Sequence, residues 1–228
     1  MTWLVNNLTL VRELTLAHLT LSAPPIVLSL VIAVPVGWVA HRFRASRSVL
    51  LTLSGLLYAI PSLPLFIMLP ALTGTSLRSP VNIVIALTLY GIALMVRTAT
   101  DAFDSVPTGV RQSATSVGFS AGSRLWRVEL PLAGPVLLSG LRVVVVSTVS
   151  LVTIGAVIGS RSLGSLFTDG FQRGIPAEIL TGVVMTVLVA LLLDLACVLL
   201  GRVLLPWSYL PAVSPRRWLG RGREVRAA

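Results

Sequence analysis

The sequence contains no lysine, and it has only one cysteine, Cys197, and two histidines, His18 and His41. A single cysteine forms neither an internal disulfide nor a thiolate metal cluster. The two histidines lie near opposite ends of one long apolar run, so they predict no metal site, and we expect both at membrane interfaces. Charged residues make up only 11% of the chain, against about 25% in soluble domains. This composition excludes an ordinary water-soluble surface.

The charge that is present is mostly positive, with 18 arginines against 8 acidic residues and a net charge of +10. A nucleic-acid-binding protein would gather such charge on one face of a soluble fold. Here the arginines lie between long apolar runs, which is typical of the positive loops on the cytoplasmic side of a membrane protein. The sequence therefore predicts membrane lipid as a partner, and no nucleic acid.

Five apolar runs are each long enough to cross a hydrocarbon core, which is about 30 Å thick and takes about 20 helical residues. The runs are continuously apolar, whereas a β-barrel would need short segments of alternating hydrophobicity. We therefore predict an all-α, polytopic membrane bundle of about five transmembrane helices. The predicted spans are Leu19 to Ala40, Val49 to Leu72, Val81 to Thr98, Ala133 to Gly159 and Ile179 to Gly201.

The arginines also predict an orientation. If the N-terminus is outside, thirteen arginines fall on the inner side of five alternating spans and four on the outer side, with Arg142 inside a span. Arginine accumulates in cytoplasmic loops, so we predict N-terminus outside and C-terminus inside. The predicted organisation is an external segment over residues 1–18, a transmembrane domain over residues 19–206 and a basic cytoplasmic tail over residues 207–228.

The connection between the third and fourth runs is longer than a hairpin turn, and its sequence predicts two short helices. Ser105 or Thr108 can cap the first helix and Ser120 the second, because a side-chain oxygen accepts a free backbone N–H there. Gly118 with Phe119 predicts the break between them. A helical hairpin that projects from the membrane has no packing role in the bilayer, so the pattern indicates a docking surface.

Pro131 ends this loop, which covers about residues 105–131, and we expect it to close the second helix before the fourth span. The loop resembles the signature loop of ABC-importer permeases, in which Glu-Ala-Ala, three residues, Gly, nine residues, Ile, any residue and Leu-Pro follow one another. Gly118 and Val128 are separated by nine residues, and Leu130-Pro131 follows in register. Three positions depart from the pattern: Gln112 replaces Glu, Ser113 replaces Ala and Val128 replaces Ile.

In that family, the loop inserts as a coupling helix into a groove on the ATPase. The neutral side chain of Gln112 leaves open whether a salt bridge forms there, as the family glutamate would allow. The resemblance assigns ATPase coupling to eight residues: Arg111, Gln112, Ser113, Ala114, Gly118, Phe119, Leu130 and Pro131.

From about Leu19 to Pro206, the chain resembles the glycine betaine/carnitine/choline (osmoprotectant) branch of these permeases. The stretches that carry the resemblance are Val34–Gly37, Ile60–Leu65, Pro135–Arg142 and Ile158–Gly164. The resemblance implies a non-enzymatic subunit in a bacterial cytoplasmic (inner) membrane that moves a small compatible solute by alternating access. It also implies a second permease subunit, identical or paralogous, an extracytoplasmic solute-binding protein, and two ATPase subunits that bind the ATP and magnesium.

Three prolines remove backbone donors from the second run, so its helix should bend or break: Pro61, Pro64 and Pro70. Two interpretations remain open, a kink tolerated in a packed bundle or a solute pathway lined by freed carbonyls and Ser62. Tyr58 and Tyr90 likewise serve either packing or stacking on a quaternary ammonium cation. The candidates for the translocation path are Tyr58, Pro61, Ser62 and Tyr90.

Arg142 and Asp194 are charges inside apolar runs, where each costs about 2.5–3.5 kcal/mol. At about 1.5 Å per residue, both lie roughly 10–13 Å from the cytoplasmic boundary. Their matching depth predicts an intramembrane ion pair, with Arg97 as the competing partner for Asp194 and coupling-ion chemistry as the alternative role.

Two other classes of membrane protein compete with the permease. A secondary transporter or channel that needs no ATPase would favour inverted repeats and clustered intramembrane carboxylates, but the sequence shows no clear repeat and one mid-span acid. A structural membrane scaffold would leave the helical inner loop unexplained.

Overall fold

The computed structural model describes residues 2–76 and 78–209 of the chain. Within these residues the secondary structure is helical, and the all-α prediction is confirmed. The α-helices are α1 Thr2–Asn6, α2 Leu8–Arg42, α3 Arg44–Ala59, α4 Ser62–Thr73, α5 Pro80–Asp104, α6 Thr108–Ser116, α7 Ala121–Arg124, α8 Leu130–Val152, α9 Ser165–Arg173 and α10 Pro176–Leu204. A π-helical turn, Leu125–Glu129, joins α7 to α8, and 3₁₀ turns cover Thr153–Ile158 and Pro206–Tyr209.

Four stretches are long and apolar enough to cross a membrane by themselves: α2, α5, α10 and the helical run from Ala121 to Ile158. Helices α3 and α4 form a fifth candidate span that is bent by 102°. The prediction of about five spans is confirmed when this bent pair counts as one. Residues 210–228, which contain most of the predicted basic tail, lie outside the described residues.

The first membrane helix is longer than its apolar run predicts. Helix α2 has 35 residues, so at about 1.5 Å per residue it exceeds the thickness of a bilayer. It begins inside the predicted external segment because Val11 and Leu14 are buried in a cluster with Val149 and Leu163. The position of residues 1–18 relative to the membrane remains a prediction.

His18 is buried within the bundle, and its depth relative to the membrane interface stays a prediction. Its Nε2 atom lies 3.1 Å from the carbonyl oxygen of Val149 on α8. A carbonyl only accepts, so this nitrogen carries the proton. His18 lies in the part of α2 that precedes the predicted span, on the same buried face as Leu14 and Leu21.

The predicted break in the second span is confirmed, and it occurs at Pro61. Ile60 and Pro61 have extended backbone angles, with ψ of 126° and 135°. The proline ring disfavours helical geometry at the residue before it, so α3 ends at Ala59. Pro70 lies inside α4 without ending it.

Helix α5 lies at the centre of the bundle and packs against α2, α3, α4 and α8. Its contacts with α2 and α8 are close because small residues face it. A Cβ atom added to Gly37 would lie 2.4 Å from Cβ of Ala99, and one added to Gly140 would lie 2.4 Å from Cγ2 of Thr98. Small residues allow membrane helices to approach this closely. Helix α5 is therefore packed tightly against both α2 and α8.

The expectation that Pro131 closes a helix is wrong. The helical run continues through Pro131 from Ala121 to Ile158. In the π-helical turn, the N–H of Leu130 bonds to the carbonyl of Leu125, five residues earlier. This wider turn relieves the clash between a proline ring and the carbonyl four residues before it. The part of this loop from Ala121 onward is therefore continuous with the fourth span.

Candidate coupling hairpin and translocation path

The loop between α5 and α8 forms a compact helical hairpin, called here the coupling hairpin, over residues 105–131. Its turn is at Gly118, where φ is +94°. The N–H of Phe119 bonds to the carbonyl of Ala114 at 3.1 Å, and the N–H of Gly118 bonds to that of Thr115 at 3.0 Å. These two bonds form a Schellman motif, which satisfies the last carbonyls of α6.

The sequence predicted N-terminal caps for both helices of the hairpin, and the structure confirms the cap of the second helix only. The Ser120 hydroxyl accepts the N–H of Ser123 at 3.3 Å and caps α7 as predicted. Pro107 precedes α6, and no side-chain cap bonds to that helix. The Ser105 hydroxyl donates instead to the carbonyl of Ala102 at 2.7 Å, because α5 continues to Asp104 and Ser105 follows its last turn.

The outer surface of the hairpin is apolar as well as polar. Gln112, Ser113 and Gly118 are exposed. Val117 is 78% exposed and Trp126 is 70% exposed. Sequence reasoning missed these two residues, although large apolar side chains inside a polar loop were the signal that could have found them. Both arms of the hairpin therefore present an exposed apolar side chain.

Arg111 points into the bundle, unlike the exposed residues of the hairpin. Its Nη2 atom donates to the carbonyls of Phe103 at 2.8 Å and Val106 at 2.6 Å. Its Nη1 atom lies 2.8 Å from Nε2 of His41 on α2. The side chain therefore anchors α6 to the ends of α5 and α2. The remaining predicted coupling residues, Ala114, Phe119, Leu130 and Pro131, are half-buried.

A second anchor, which sequence reasoning missed, joins the two arms of the hairpin. Arg124 donates from Nε to Oε1 of Glu129 at 2.8 Å and from Nη1 to the hydroxyl of Thr115 at 2.9 Å. Trp38 Nε1 on α2 lies 3.4 Å from the other carboxylate oxygen of Glu129. Glu129 is buried, and its ion pair with Arg124 compensates the negative charge at that buried position. The hairpin is thus fixed to the bundle on both arms.

Two of the four predicted pathway residues, Tyr58 and Tyr90, meet beside the break in the second span. The hydroxyl of Tyr90 donates to the carbonyl of Ile60, which the break leaves without a helical partner. The rings of Tyr58 and Tyr90 meet edge to face, with centroids 6.1 Å apart. Ser62 follows Pro61 at the start of α4 and is half-buried. Since Tyr90 is buried and its hydroxyl is bonded, the geometry favours packing over cation stacking for this tyrosine.

Arg142 and Asp194 form a bidentate ion pair between α8 and α10. Nε of Arg142 donates to Oδ1 at 2.6 Å and Nη2 donates to Oδ2 at 2.8 Å. Parallel two-point contacts of this kind are among the strongest hydrogen bonds of proteins. Arg97 on α5 makes no ion pair with Asp194 within residues 2–76 and 78–209. The pair borders a groove that also contains Ser139, Ser147 and two valines.

Comparisons with known proteins agree with this architecture. Residues 19–208 match the family described as binding-protein-dependent transport system inner membrane component. The chain is 33% identical to the osmoprotectant import permease protein OsmW of Salmonella typhimurium, over 84% of this chain and 90% of that protein. It is 26% identical to the choline transport system permease protein OpuBB of Bacillus subtilis, over 84% of this chain and 87% of that protein.

The fold is also that of solved ABC transporters. A chain of the MetNI methionine ABC transporter in an inward-facing conformation aligns with a TM-score of 0.76 at 20% identity, over 87% of this chain and 98% of that chain. A chain of an amino acid ABC transporter aligns with a TM-score of 0.67 at 15% identity, over 87% and 94% of the two chains. The chain therefore belongs to the binding-protein-dependent, inner-membrane permease family of ABC importers.

Proposed function

We propose that this chain forms the solute pathway of an ATP-driven importer for a small compatible solute of the glycine betaine, carnitine and choline class. Family membership across residues 19–208 supports the importer. The solute class rests on relatives whose names specify osmoprotectants, choline or glycine betaine/carnitine/choline. The single observation that carries the proposal is the coupling hairpin between two spans of this membrane fold.

The partners follow from this role. Two ATPase subunits bind ATP and magnesium and hydrolyse the nucleotide, so this chain is not itself the enzyme. A second permease subunit, identical or paralogous, completes the pathway. A solute-binding protein delivers the solute from outside the membrane, with the N-terminus outside and the coupling hairpin on the cytoplasmic side.

The connections of the hairpin explain how it would transmit motion. Helix α5 leads into it at Asp104, and the run from Ala121 to Ile158 leads out of it into the fourth span. Exposed Val117 and Trp126 offer an apolar contact to the ATPase groove. Movement of the docked hairpin would therefore pass directly into the fourth span, which is helically continuous with its second arm. It would pass into α5 through the bond from Arg111 to the carbonyl of Phe103, and alternating access would follow.

Reconstitution of the chain with its ATPase and binding protein in proteoliposomes tests this function. Uptake of glycine betaine, carnitine or choline should require ATP and both partners, and an ATPase variant without hydrolysis should support none. Methionine serves as a comparison solute, since the MetNI transporter shares the fold. Uptake that proceeds without the ATPase would establish a secondary transporter or channel instead.

A further inference from the structure

A continuous line of polar contacts joins the coupling hairpin to three membrane helices, and we call it the His41 relay. Arg47 Nη1 on α3 lies 2.7 Å from Oδ2 of Asp104 on α5. Oδ1 of Asp104 lies 2.5 Å from Nδ1 of His41 on α2. Nε2 of His41 lies 2.8 Å from Nη1 of Arg111 on α6. The relay thus consists of Arg47, Asp104, His41 and Arg111.

The chemistry of its neighbours determines the proton positions on His41. A guanidinium group only donates hydrogen bonds, so Nε2 of His41 must accept from Arg111. An ionised carboxylate only accepts, so Nδ1 must donate to Asp104. Both bonds exist together only in the neutral imidazole with its proton on Nδ1. The relay therefore depends on one protonation state and one tautomer of a single side chain.

A second proton on His41 would break the contact with Arg111. Nε2 would then carry an N–H group that faces the N–H groups of the guanidinium, and the two like charges would lie about 3 Å apart, where repulsion is strong. The charged groups around the ring are Asp104 from α5, Arg47 from α3, Arg111 from α6 and the adjacent Arg42 on α2. Glu129 borders the same cavity, but it is already paired with Arg124, and the neutral ring of Phe103 lies 6.2 Å from that of His41.

Arg111 has few other ways to hold the hairpin. Its remaining bonds go to the carbonyls of Phe103, in the last turn of α5, and of Val106, on the connection between α5 and α6. His41 is therefore its bond to α2, and through Asp104 it is also linked to α3. Loss of the His41 contact would leave α6 bonded to the end of α5 and to the second anchor at Arg124, but not to α2 or α3.

We propose that His41 is a positioning residue that fixes coupling helix α6 against α2 and α5 in its neutral form, so that acidification of the hairpin side uncouples ATP hydrolysis from transport. The proposal rests on the proposed importer function. It goes beyond docking, because His41 is outside the coupling loop and acts through Arg111.

The coupling ratio, solute transported per ATP hydrolysed, tests this proposal in proteoliposomes that contain the whole transporter. The pH on the hairpin side is varied from about 8 to about 5, the range in which histidine changes charge. The wild-type ratio should fall as the pH falls, because loss of one charged hydrogen bond shifts the population of the anchored hairpin by about tenfold or more. Separate assays of the ATPase subunits alone correct for their own pH dependence.

Three variants separate positioning from a merely structural role. His41→Gln keeps one donor and one acceptor without titrating, so its ratio should stay constant across the pH range. His41→Leu should be uncoupled at every pH. Arg44→Gln is the matched control, because Arg44 is exposed and makes no ion pair or hydrogen bond within the described chain, and it should behave as wild type. A wild-type ratio that does not change with pH, or a His41→Gln ratio that falls like that of wild type, would overturn the proposal.

A second measurement uses no histidine variant. Its result therefore does not depend on whether such a variant folds, or on whether the chain is an importer. Spin labels at Ser48 on α3 and Ser113 on α6, both exposed, report the distance from α3 to the coupling helix in the full chain after Cys197→Ala. Acidification should lengthen or broaden this distance distribution. An unchanged distribution would overturn the proposal, whereas a pH-dependent distance in a chain that transports without ATP would reject only the importer function.

Discussion

At the scale of single residues, the charges of Arg142 and Asp194 lie within apolar stretches of α8 and α10. Their side chains are 45% and 22% exposed on the described chain. In water such a pair contributes little, but in hydrocarbon each charge would cost about 2.5–3.5 kcal/mol without its partner. The value of the pair therefore depends on its surroundings in the membrane, and from its bidentate geometry we expect a structural role.

We expect Asp194→Leu to lower the yield of folded protein, because Arg142 then loses its carboxylate partner inside the bilayer. The double variant Asp194→Leu with Arg142→Leu should restore much of the yield, since both charges are removed together. Size-exclusion chromatography of the detergent-extracted protein measures this. Arg97→Leu combined with Asp194→Leu is the control, and rescue by that combination would reassign the partner. Normal folding of Asp194→Leu with loss of uptake would place Asp194 in the pathway.

Gly118 is the residue on which the turn of the coupling hairpin depends. Gly118→Ala should cost about 1–2 kcal/mol locally, because a Cβ atom is strained at φ of +94°. The permease should remain folded and inserted, while the share of ATPase that co-purifies with it falls. Gly122→Ala is a matched control in the same hairpin, since Gly122 is helical and a Cβ atom there would meet no neighbour within 4 Å. Equal ATPase retention by both variants would contradict the docking role of the turn.

At the scale of secondary-structure elements, a hydrogen bond from α5 satisfies the backbone at the bend of the second span. Pro61 ends α3 and leaves the carbonyl of Ile60 without an N–H partner in its own span. Tyr90 on α5 supplies the donor. The bend is thus encoded by the proline and stabilised by the tertiary contact.

Tyr90→Phe should therefore destabilise the permease by about 1–3 kcal/mol, the cost of leaving the carbonyl of Ile60 without a hydrogen bond in a membrane span. Thermal unfolding in detergent measures this loss. Tyr58→Phe removes the same atom from the other ring of the pair, and the Tyr58 hydroxyl makes no hydrogen bond to the described residues, so little change is expected. If both variants unfold at the wild-type temperature, the bond does not stabilise the bend. If Tyr58→Phe instead impairs uptake of a quaternary ammonium solute, that ring lines the pathway.

At the scale of the whole molecule, the helices differ in how much of their surface the bundle covers. In the most apolar stretch of α5 61% of the residues are buried, whereas in that of α10 only 11% are. The uncovered residues of α10 are almost all aliphatic, which suits contact with lipid or with a second permease subunit. Helix α5, in contrast, is the packing centre that connects the second span, the first span and the coupling hairpin.

The orientation of the whole molecule is open to direct measurement. After Cys197→Ala, a cysteine at Ser76 should react with a membrane-impermeant thiol reagent added from outside, because the thirteen-to-four distribution of arginines places that connection outside. A cysteine at Ser116 in the coupling hairpin should react only after the membrane is opened. Both positions are exposed on the described chain. The reverse pattern would invert the topology and separate the hairpin from any cytoplasmic ATPase.

Local sequence patterns were sufficient to predict the helical class, the number of spans, the break at Pro61 and the turn at Gly118. Each of these depends on residues within a few positions of one another, through apolar runs that match the thickness of a bilayer or through a proline or glycine that restricts its own backbone. Such patterns act before any tertiary contact forms, so they can be recognised without one.

Only the tertiary structure decided which side chains meet. Trp38 reaches Glu129 across 91 positions, and Arg111 reaches His41 across 70. The burial of His18 also depends on how α2 packs against α8. Apolar periodicity brings helices into a bundle, but it does not specify their rotation or axial offset, and a shift of one turn, about 5.4 Å, exceeds the reach of a hydrogen bond. These pairings therefore arise from the packing around α5, and no single stretch of the sequence contains them.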